Sequence, residues 1–171
     1  MQKHLEPSVR EKVIQKYPSL PLEKQEAEIR NIIDIQVLTE MFNDSQRNQE
    51  EKKFKTSYRD MADNFASRYS GFYKYLDVLE NSRKDGKQPA DEPYIQIDVS
   101  HSFPITSFLK KYLVFEGGQK ADDLDPKTFF EKTGGVIGES ESLILDYIKR
   151  GNKKIIKVSG KNFTGYINYE Q

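Results

Sequence analysis

The fold of the N-terminal half is decided between residues 54 and 79, where the chain reads FKTSYRDMADNFASRYSGFYKYLDVL. Apolar residues recur there every three or four positions: Phe54, Tyr58, Met61, Phe65, Tyr69, Phe72, Leu76 and Leu79. This spacing places one apolar stripe along a helix, with intervals close to a heptad repeat. Ser70-Gly71 lowers the helical propensity and predicts a kink or a short break. The segment is therefore predicted to be a long amphipathic helix.

Residues 1–83 as a whole are predicted to be helical almost throughout. Ser8-Val-Arg-Glu11 matches a capping box, which marks a helix start. Pro18 and Pro21 separate this first helix from the next one. No Gly or Pro occurs from residue 22 to residue 42, so a second long helix is expected there. Because a short polar turn follows it, this helix and the one carrying the stripe are predicted to form an antiparallel helical hairpin.

The C-terminal part has a different pattern. Residues 84–93 are predicted to be a linker, because Pro, Gly and charged residues dominate from residue 81 onward. The elements predicted within residues 94–171 are a strand at Tyr94–Val99, a helix opened by Pro104, a helix capped by Asp125-Pro126, a helix over 139–150 and a β-hairpin of residues 154–158 and 163–169. The predicted fold class is α+β, with an N-terminal helical hairpin followed by a small C-terminal α+β module that ends in a β-hairpin.

Composition limits the classes of function. The 171 residues are 36% hydrophobic and 32% charged, which gives a lean core typical of subunits that complete their burial against a partner. Ten Phe and ten Tyr supply much of the apolar area. The 27 basic residues balance the 27 acidic ones, which removes the general electrostatic argument for coating nucleic acid or binding an anionic membrane.

Motifs for metal, cofactor and catalytic chemistry are missing from the sequence. The chain has no Cys, and His4 and His101 show no spacing that predicts a zinc site. Asp122-Asp-Leu-Asp125 lacks the pattern of a calcium loop, and Thr133-Gly-Gly-Val-Ile-Gly138 lacks the Lys-Ser/Thr pair of a P-loop. We therefore predict no metal, no cofactor and no catalytic residues. An enzyme would have to be built around His101, whose partners need not be close in sequence.

The location of the protein is predicted from two further features. No apolar run approaches the roughly 18 residues that a membrane span requires. The sequence from Met1 to Pro7 lacks the apolar core of a signal peptide. The expectation is a cytoplasmic protein without a membrane partner.

The apolar stripe of residues 54–79 allows two interpretations. It is either a seam for dimerisation or for a partner helix, or the internal face of the helical hairpin. Tyr73 and Tyr75 fall off the stripe and are expected at the surface, where Tyr is a common interface anchor. The residues predicted to bind a protein partner are Tyr58, Phe65, Phe72, Tyr73, Tyr75 and Leu76.

A basic run occupies the C-terminus. Between Asp146 and Glu170 there is no acidic residue and there are six basic ones: Lys149, Arg150, Lys153, Lys154, Lys157 and Lys161. They flank the predicted hairpin and are candidate contacts for phosphates or for an acidic partner. A strand, three helices and a hairpin also form the element order of a winged helix, with residues 139–150 as the recognition helix. The acidic start of that helix, Glu139-Ser-Glu141, is unfavourable next to DNA.

These features together predict a non-enzymatic interaction or assembly protein, such as an adaptor, an assembly subunit or a viral structural component. It would associate through its aromatic helical face and dock through its basic hairpin. The alternative is a nucleic-acid-binding protein with a winged-helix-like C-terminal half and a helical dimerisation half.

Overall fold

The computed structural model describes residues 2–45, 47, 53–84, 102–137, 141–150 and 153–168. The elements in chain order are α1 Gln2–Lys16, α2 Leu22–Asp44, α3 Tyr58–Lys84, α4 Ser102–Tyr112, β1 Val114–Phe115, a 3₁₀ helix Ala121–Asp123, α5 Pro126–Thr133, β2 Ile144–Arg150, β3 Lys153–Ser159 and β4 Thr164–Asn168. Helices come first and an antiparallel sheet comes last. The predicted α+β class is therefore confirmed, whereas the predicted strand at 94–99 lies outside the described residues.

The first two helices form an antiparallel pair. Arg10 Nη2 of α1 donates to Glu26 Oε2 of α2 at 3.0 Å. The buried Gln25 side chain holds the turn between them, because its amide donates to two backbone carbonyls of that turn at 3.0 Å each. Helix α1 begins at Gln2 and passes through Pro7, so the prediction of a helix start at the capping box of residues 8–11 is wrong. A proline removes only one backbone hydrogen bond, and α1 continues past it.

Helix α3 is continuous from Tyr58 to Lys84, so of the predicted kink or short break at Ser70-Gly71 the break is wrong. A glycine in a helix costs about 1 kcal/mol relative to Ala, and the residues around Gly71 sustain the helix through it. The main partner of α3 is α4 rather than α2. The Phe65 and Phe108 rings lie 5.2 Å apart, and Asp63 accepts hydrogen bonds from Lys111 and Tyr112. Helix α2 is not free to pair with α3 along its length, because α1 and α5 pack on it.

The sheet has the strand order β1-β4-β3-β2, and every neighbouring pair is antiparallel. Strands β3 and β4 confirm the predicted β-hairpin. The helix predicted over 139–150 is wrong, because Ile144–Arg150 is strand β2. Alternate residues of β2, Leu145 and Tyr147, pack on the core, and Arg150 pairs with Lys153 across a connection of two residues. A short apolar run fits both helical and strand periods, and the two-residue connection favours the hairpin.

The short strand β1 joins the sheet through a close approach at Gly165. This residue pairs with Phe115, and an added Cβ atom would lie only 2.6 Å from the Val114 carbonyl oxygen and from Leu113. Only glycine therefore lets the end of α4 and β1 pack directly on β4.

One hydrophobic core joins residues from both sides of the predicted linker. Side chains with at most 2% exposure come from helices α1 to α5 and from β3, and they include Val13, Leu38, Tyr58, Leu109, Phe129 and Val158. The helical N-terminal part and the C-terminal part thus bury their apolar residues against each other.

The burial of the stripe generates a stability prediction. Phe65→Ala is expected to lower the free energy of unfolding by about 3–5 kcal/mol, because it opens a cavity in the core. Val78→Ala, an apolar truncation on the exposed part of the same helix, should change it by about 0.5 kcal/mol or less. Urea unfolding followed by circular dichroism measures both values. Equal effects of the two substitutions would contradict the placement of Phe65 in the core.

Candidate functional site

The structure divides the predicted partner-binding residues of α3 into two groups. Tyr58 is 2% exposed and Phe65 is 7% exposed. The Tyr58 ring packs edge-on against Phe42 with centroids 4.8 Å apart, so both stripe residues are held in the core instead of at a partner-binding surface. Tyr75 is 48% exposed and Val78 is 59% exposed, one helical turn apart on the second half of α3. The side chains of Phe72, Tyr73 and Leu76 lie outside the described residues.

The register of the sheet sorts the six basic residues by position. Lys161 lies in the β3–β4 connection, where its Nζ is 3.4 Å from Glu141 Oε1. Lys157 lies in the middle of β3, opposite Asp146 of β2 and Tyr166 of β4. The other four residues occupy the ends of β2 and β3 next to their connection. These four, Lys149, Arg150, Lys153 and Lys154, are called the basic end of the hairpin below, and their side chains lie outside the described residues.

At the basic end, like charges face each other directly. Lys149 pairs with Lys154, and Arg150 pairs with Lys153. Directly opposite residues on an antiparallel pair have Cβ atoms about 4.5–5.5 Å apart, and like charges at that spacing destabilise the strand pair. Four of the six charges between residues 149 and 161 thus lie at one end of one hairpin.

The most unusual buried group of the described chain is the Lys110 ammonium of α4. Lys110 is 3% exposed, and its Nζ donates to the carbonyl oxygens of Ala121 at 2.9 Å and Asp122 at 3.0 Å. Three aromatic rings surround the ammonium with centroids 5.7–5.9 Å from Nζ: Phe42, Tyr58 and Phe129. This distance is within the range of cation–π attraction. Burial lowers the pKa of Lys110 below its ordinary value. We call this group the Lys110 centre.

The carboxylate of Asp122 closes the Lys110 centre on its outer side. It accepts the Tyr58 hydroxyl at 2.7 Å and the Arg59 guanidinium at 2.8 Å and 2.9 Å. Burial alone raises the pKa of Asp122, but these hydrogen bonds and the Arg59 charge outweigh burial and hold that pKa below its ordinary value. Burial, together with the bond to Asp122, raises the pKa of the Tyr58 hydroxyl far above its ordinary value. Each of these polar groups is thus engaged inside the fold, and the arrangement stabilises a junction of elements.

Sequence reasoning missed the Lys110 centre because no local pattern marks it. Lys110 and Lys111 both follow an apolar pair in the sequence, and only the pairing of α4 with the 3₁₀ helix distinguishes them. The acidic run at residues 122–125, which includes Asp122 of the Lys110 centre, is visible in the sequence, but it predicts only the helix cap at Asp125. That cap is confirmed, because the Asp125 side chain accepts the Thr128 N–H at 3.0 Å.

The described surface includes two depressions of different size. The larger of these two, of about 540 Å³, lies where α2 ends and α3 begins. Its buried carboxylate, Asp44, accepts the backbone N–H groups of Lys53 and Phe54 at 3.0 Å, and these bonds, that of Lys53 foremost, lower the pKa of Asp44. The other, of about 400 Å³, lies between α2 and α5 and exposes mainly apolar surface. The larger depression is therefore the outer side of a helix connection that Asp44 holds in place.

Comparison of the chain with known families, proteins and structures identifies no relative. The chain matches no protein-family profile, no curated protein and no solved structure. Within the described ranges, no three His, Cys, Asp or Glu side chains are grouped in a way that could hold a metal ion. Of the helices that the structure describes, none combines the length and the apolar character needed to cross a membrane.

The acceptor role of Asp122 predicts a pH dependence. Its pKa is lower in the folded chain than in the unfolded chain, so its carboxylate stabilises the fold above the ordinary Asp pKa of about 3.9, and this contribution is lost as the pH falls through the folded-state pKa. Asp122→Asn should lower the free energy of unfolding at neutral pH by about 2 kcal/mol and make its decline toward acidic pH shallower.

Urea unfolding at a series of pH values measures this effect. Asp123→Asn is the matched control, since Asp123 is the exposed neighbour in the same 3₁₀ helix. The control should keep the profile of the unmodified protein. Identical profiles for the Asp122 variant and the unmodified protein would show that the carboxylate does not stabilise the fold.

Proposed function

We propose that this chain is a non-enzymatic interaction protein that docks on an acidic protein surface through the basic end of its β2–β3 hairpin. The observation that carries the proposal is the register of that hairpin, which sets Lys149 opposite Lys154 and Arg150 opposite Lys153. A partner that supplies carboxylates relieves this repulsion, so binding gains energy that the free chain lacks. An adaptor or an assembly subunit would use such a surface.

A protein partner is favoured over nucleic acid by the small extent of the basic end. Two adjacent cross-strand pairs lie only about 3.4 Å apart along the strands and about 5 Å across them. Proteins that bind duplex DNA commonly neutralise about 6–10 phosphates along the backbone. The expected recognition helix of a winged helix is also missing, since residues 144–150 form strand β2. Four charges at the end of a hairpin, one pair on each face of the strands, fit a cluster of acidic side chains better than an extended phosphate track.

The second half of α3 supports the proposal with an apolar contact. Tyr75 and Val78 expose about half or more of their surface on one side of this helix. Tyr147 of β2 brings the hairpin next to the same helix, because its hydroxyl lies 3.4 Å from Asp77 Oδ1. An exposed aromatic residue near a charged cluster is typical of interface anchors with a polar rim.

The proposal predicts a specific loss of binding to acidic peptides. The variant with Lys149→Gln, Arg150→Gln, Lys153→Gln and Lys154→Gln should bind a labelled polyglutamate peptide about tenfold more weakly or worse, equal to about 1.4 kcal/mol. Fluorescence anisotropy at low and at physiological salt measures the affinity, which should fall with salt because the contacts are ionic.

A control variant with the same change in net charge keeps this test specific. It carries the substitution to Gln at four exposed lysines away from the hairpin: Lys12, Lys24, Lys55 and Lys120. It should retain most of the affinity. An equal loss in both variants would mean that net charge and not the basic end determines binding. A mixed-sequence DNA duplex that binds more tightly than the peptide, and that the hairpin variant releases, would instead identify nucleic acid as the partner.

A further inference from the structure

Strand β2 forms an edge of the sheet. Within the described parts of the chain, β3 is its only neighbour, and its seven residues pair with β3 in an unbroken register. Ile144 at its start is 59% exposed. A long, regular edge strand is a template for pairing with another chain, unless bulges, prolines or inward-pointing charges protect it. The register of β2 contains no bulge and its sequence contains no proline, and the one charged residue at its core-face positions, Lys149, lies near the end of the strand next to the connection.

The sequence of β2 is complementary to itself in the antiparallel direction. Residues 146–150 read Asp-Tyr-Ile-Lys-Arg. If two copies pair about a twofold axis at residue 148, Asp146 of each copy lies opposite Arg150 of the other. Tyr147 then lies opposite Lys149, and Ile148 lies opposite itself. Opposite charges, a cation beside an aromatic residue and a β-branched apolar pair are all favourable cross-strand neighbours.

The faces of the sheet agree with this register. Leu145 and Tyr147 lie on the core face with Ile156 and Val158 of β3, whereas positions 146, 148 and 150 lie on the opposite, outer face. An axis at residue 148 places residues of the same face opposite each other, so both copies keep their helices on one side of the joined sheet. An axis at residue 147 would instead place Asp146 opposite Ile148 and Leu145 opposite Lys149, without a charge pair.

We propose that a second copy of this chain pairs with β2 in this register, so that two four-stranded sheets become one continuous antiparallel sheet across a twofold axis. The interface is isologous, as in most homodimers, because the same strand supplies both sides. Asp146 of the second copy also brings a negative charge to Arg150, which faces Lys153 in its own chain. This proposal needs no acidic partner, although it shares Lys149 and Arg150 of β2 with the basic end, whereas Lys153 and Lys154 lie on β3, away from the shared edge.

Complementary charge reversal tests the dimer. Asp146→Arg alone sets Arg against Arg twice across the axis, and Arg150→Asp alone sets Asp against Asp twice. Each single variant should weaken dimerisation by about tenfold or more. In an equimolar mixture of the two variants every facing pair is again Arg with Asp, so a heterodimer should form. Sedimentation velocity over a range of concentrations measures all three samples beside the unmodified protein.

The control is Thr164→Arg, which adds a charge on the outer face of β4, two strands away from the shared edge, and should leave the dimer intact. Recovery of the dimer in the mixture also shows that the single variants are folded. The proposal is overturned if the mixture stays monomeric while the unmodified protein dimerises, or if each single variant dimerises as well as the unmodified protein. An unmodified protein that is monomeric at every concentration overturns it independently of any variant, and would leave the strand predicted at 94–99 as the other candidate to cover this edge.

Discussion

The buried ammonium of Lys110 fixes the positions of the elements around it. An unpaired ammonium in an apolar environment is strongly unfavourable, so the fold has to supply its partners at defined distances. Those partners come from four other elements: the Phe42 ring from α2, the Tyr58 ring from α3, the backbone carbonyls of the 3₁₀ helix and the Phe129 ring from α5. Removing any one of these partners leaves the Lys110 charge less compensated. Because the partners lie on both sides of the predicted linker, the charge holds the helices before it against the segment after it.

The need to compensate the Lys110 charge explains where several aromatic residues of the chain lie. Although only 36% of its residues are hydrophobic, the chain places buried aromatic rings around the Lys110 centre and at the α3–α4 contact. Phe42 stacks on Phe130 at 5.8 Å, and Phe65 packs on Phe108. Within the described side chains of α3, exposure then rises toward the second half of the helix, where Tyr75 and Val78 lie at the surface. The start of the stripe therefore lies in the core, whereas Tyr75 and Val78, which lie off the stripe, are at the surface.

Periodicity predicted the parts of the fold that local sequence determines. The helical N-terminal region, the cap at Asp125, the helix after it and the β3–β4 hairpin all follow from patterns within about ten residues. Strand β2 did not, because Leu143, Ile144, Tyr147 and Ile148 also fit a helical period, and its pairing with β3 decides the outcome. The choice of α4 as the partner of α3 and the burial of Lys110 depend on contacts distant in sequence, which no local pattern reports.

Strand β2, which was predicted to be a helix, supplies residues to both proposed interfaces. In a helix over residues 144–150, Lys149 and Arg150 would project in different directions around the helix axis, away from the positive charges of the following strand. As a strand, they bring those charges into register with Lys153 and Lys154, and they leave a regular edge whose sequence is complementary to itself. A dimer through this edge holds its two connections on opposite sides of the axis, about three residues or 10 Å along the strand from it. In such a dimer Lys153 and Lys154 of each copy stay off the shared edge, so a partner surface that reaches both connections would contact two such pairs. Two weak electrostatic contacts held at a fixed spacing bind more tightly than either contact alone.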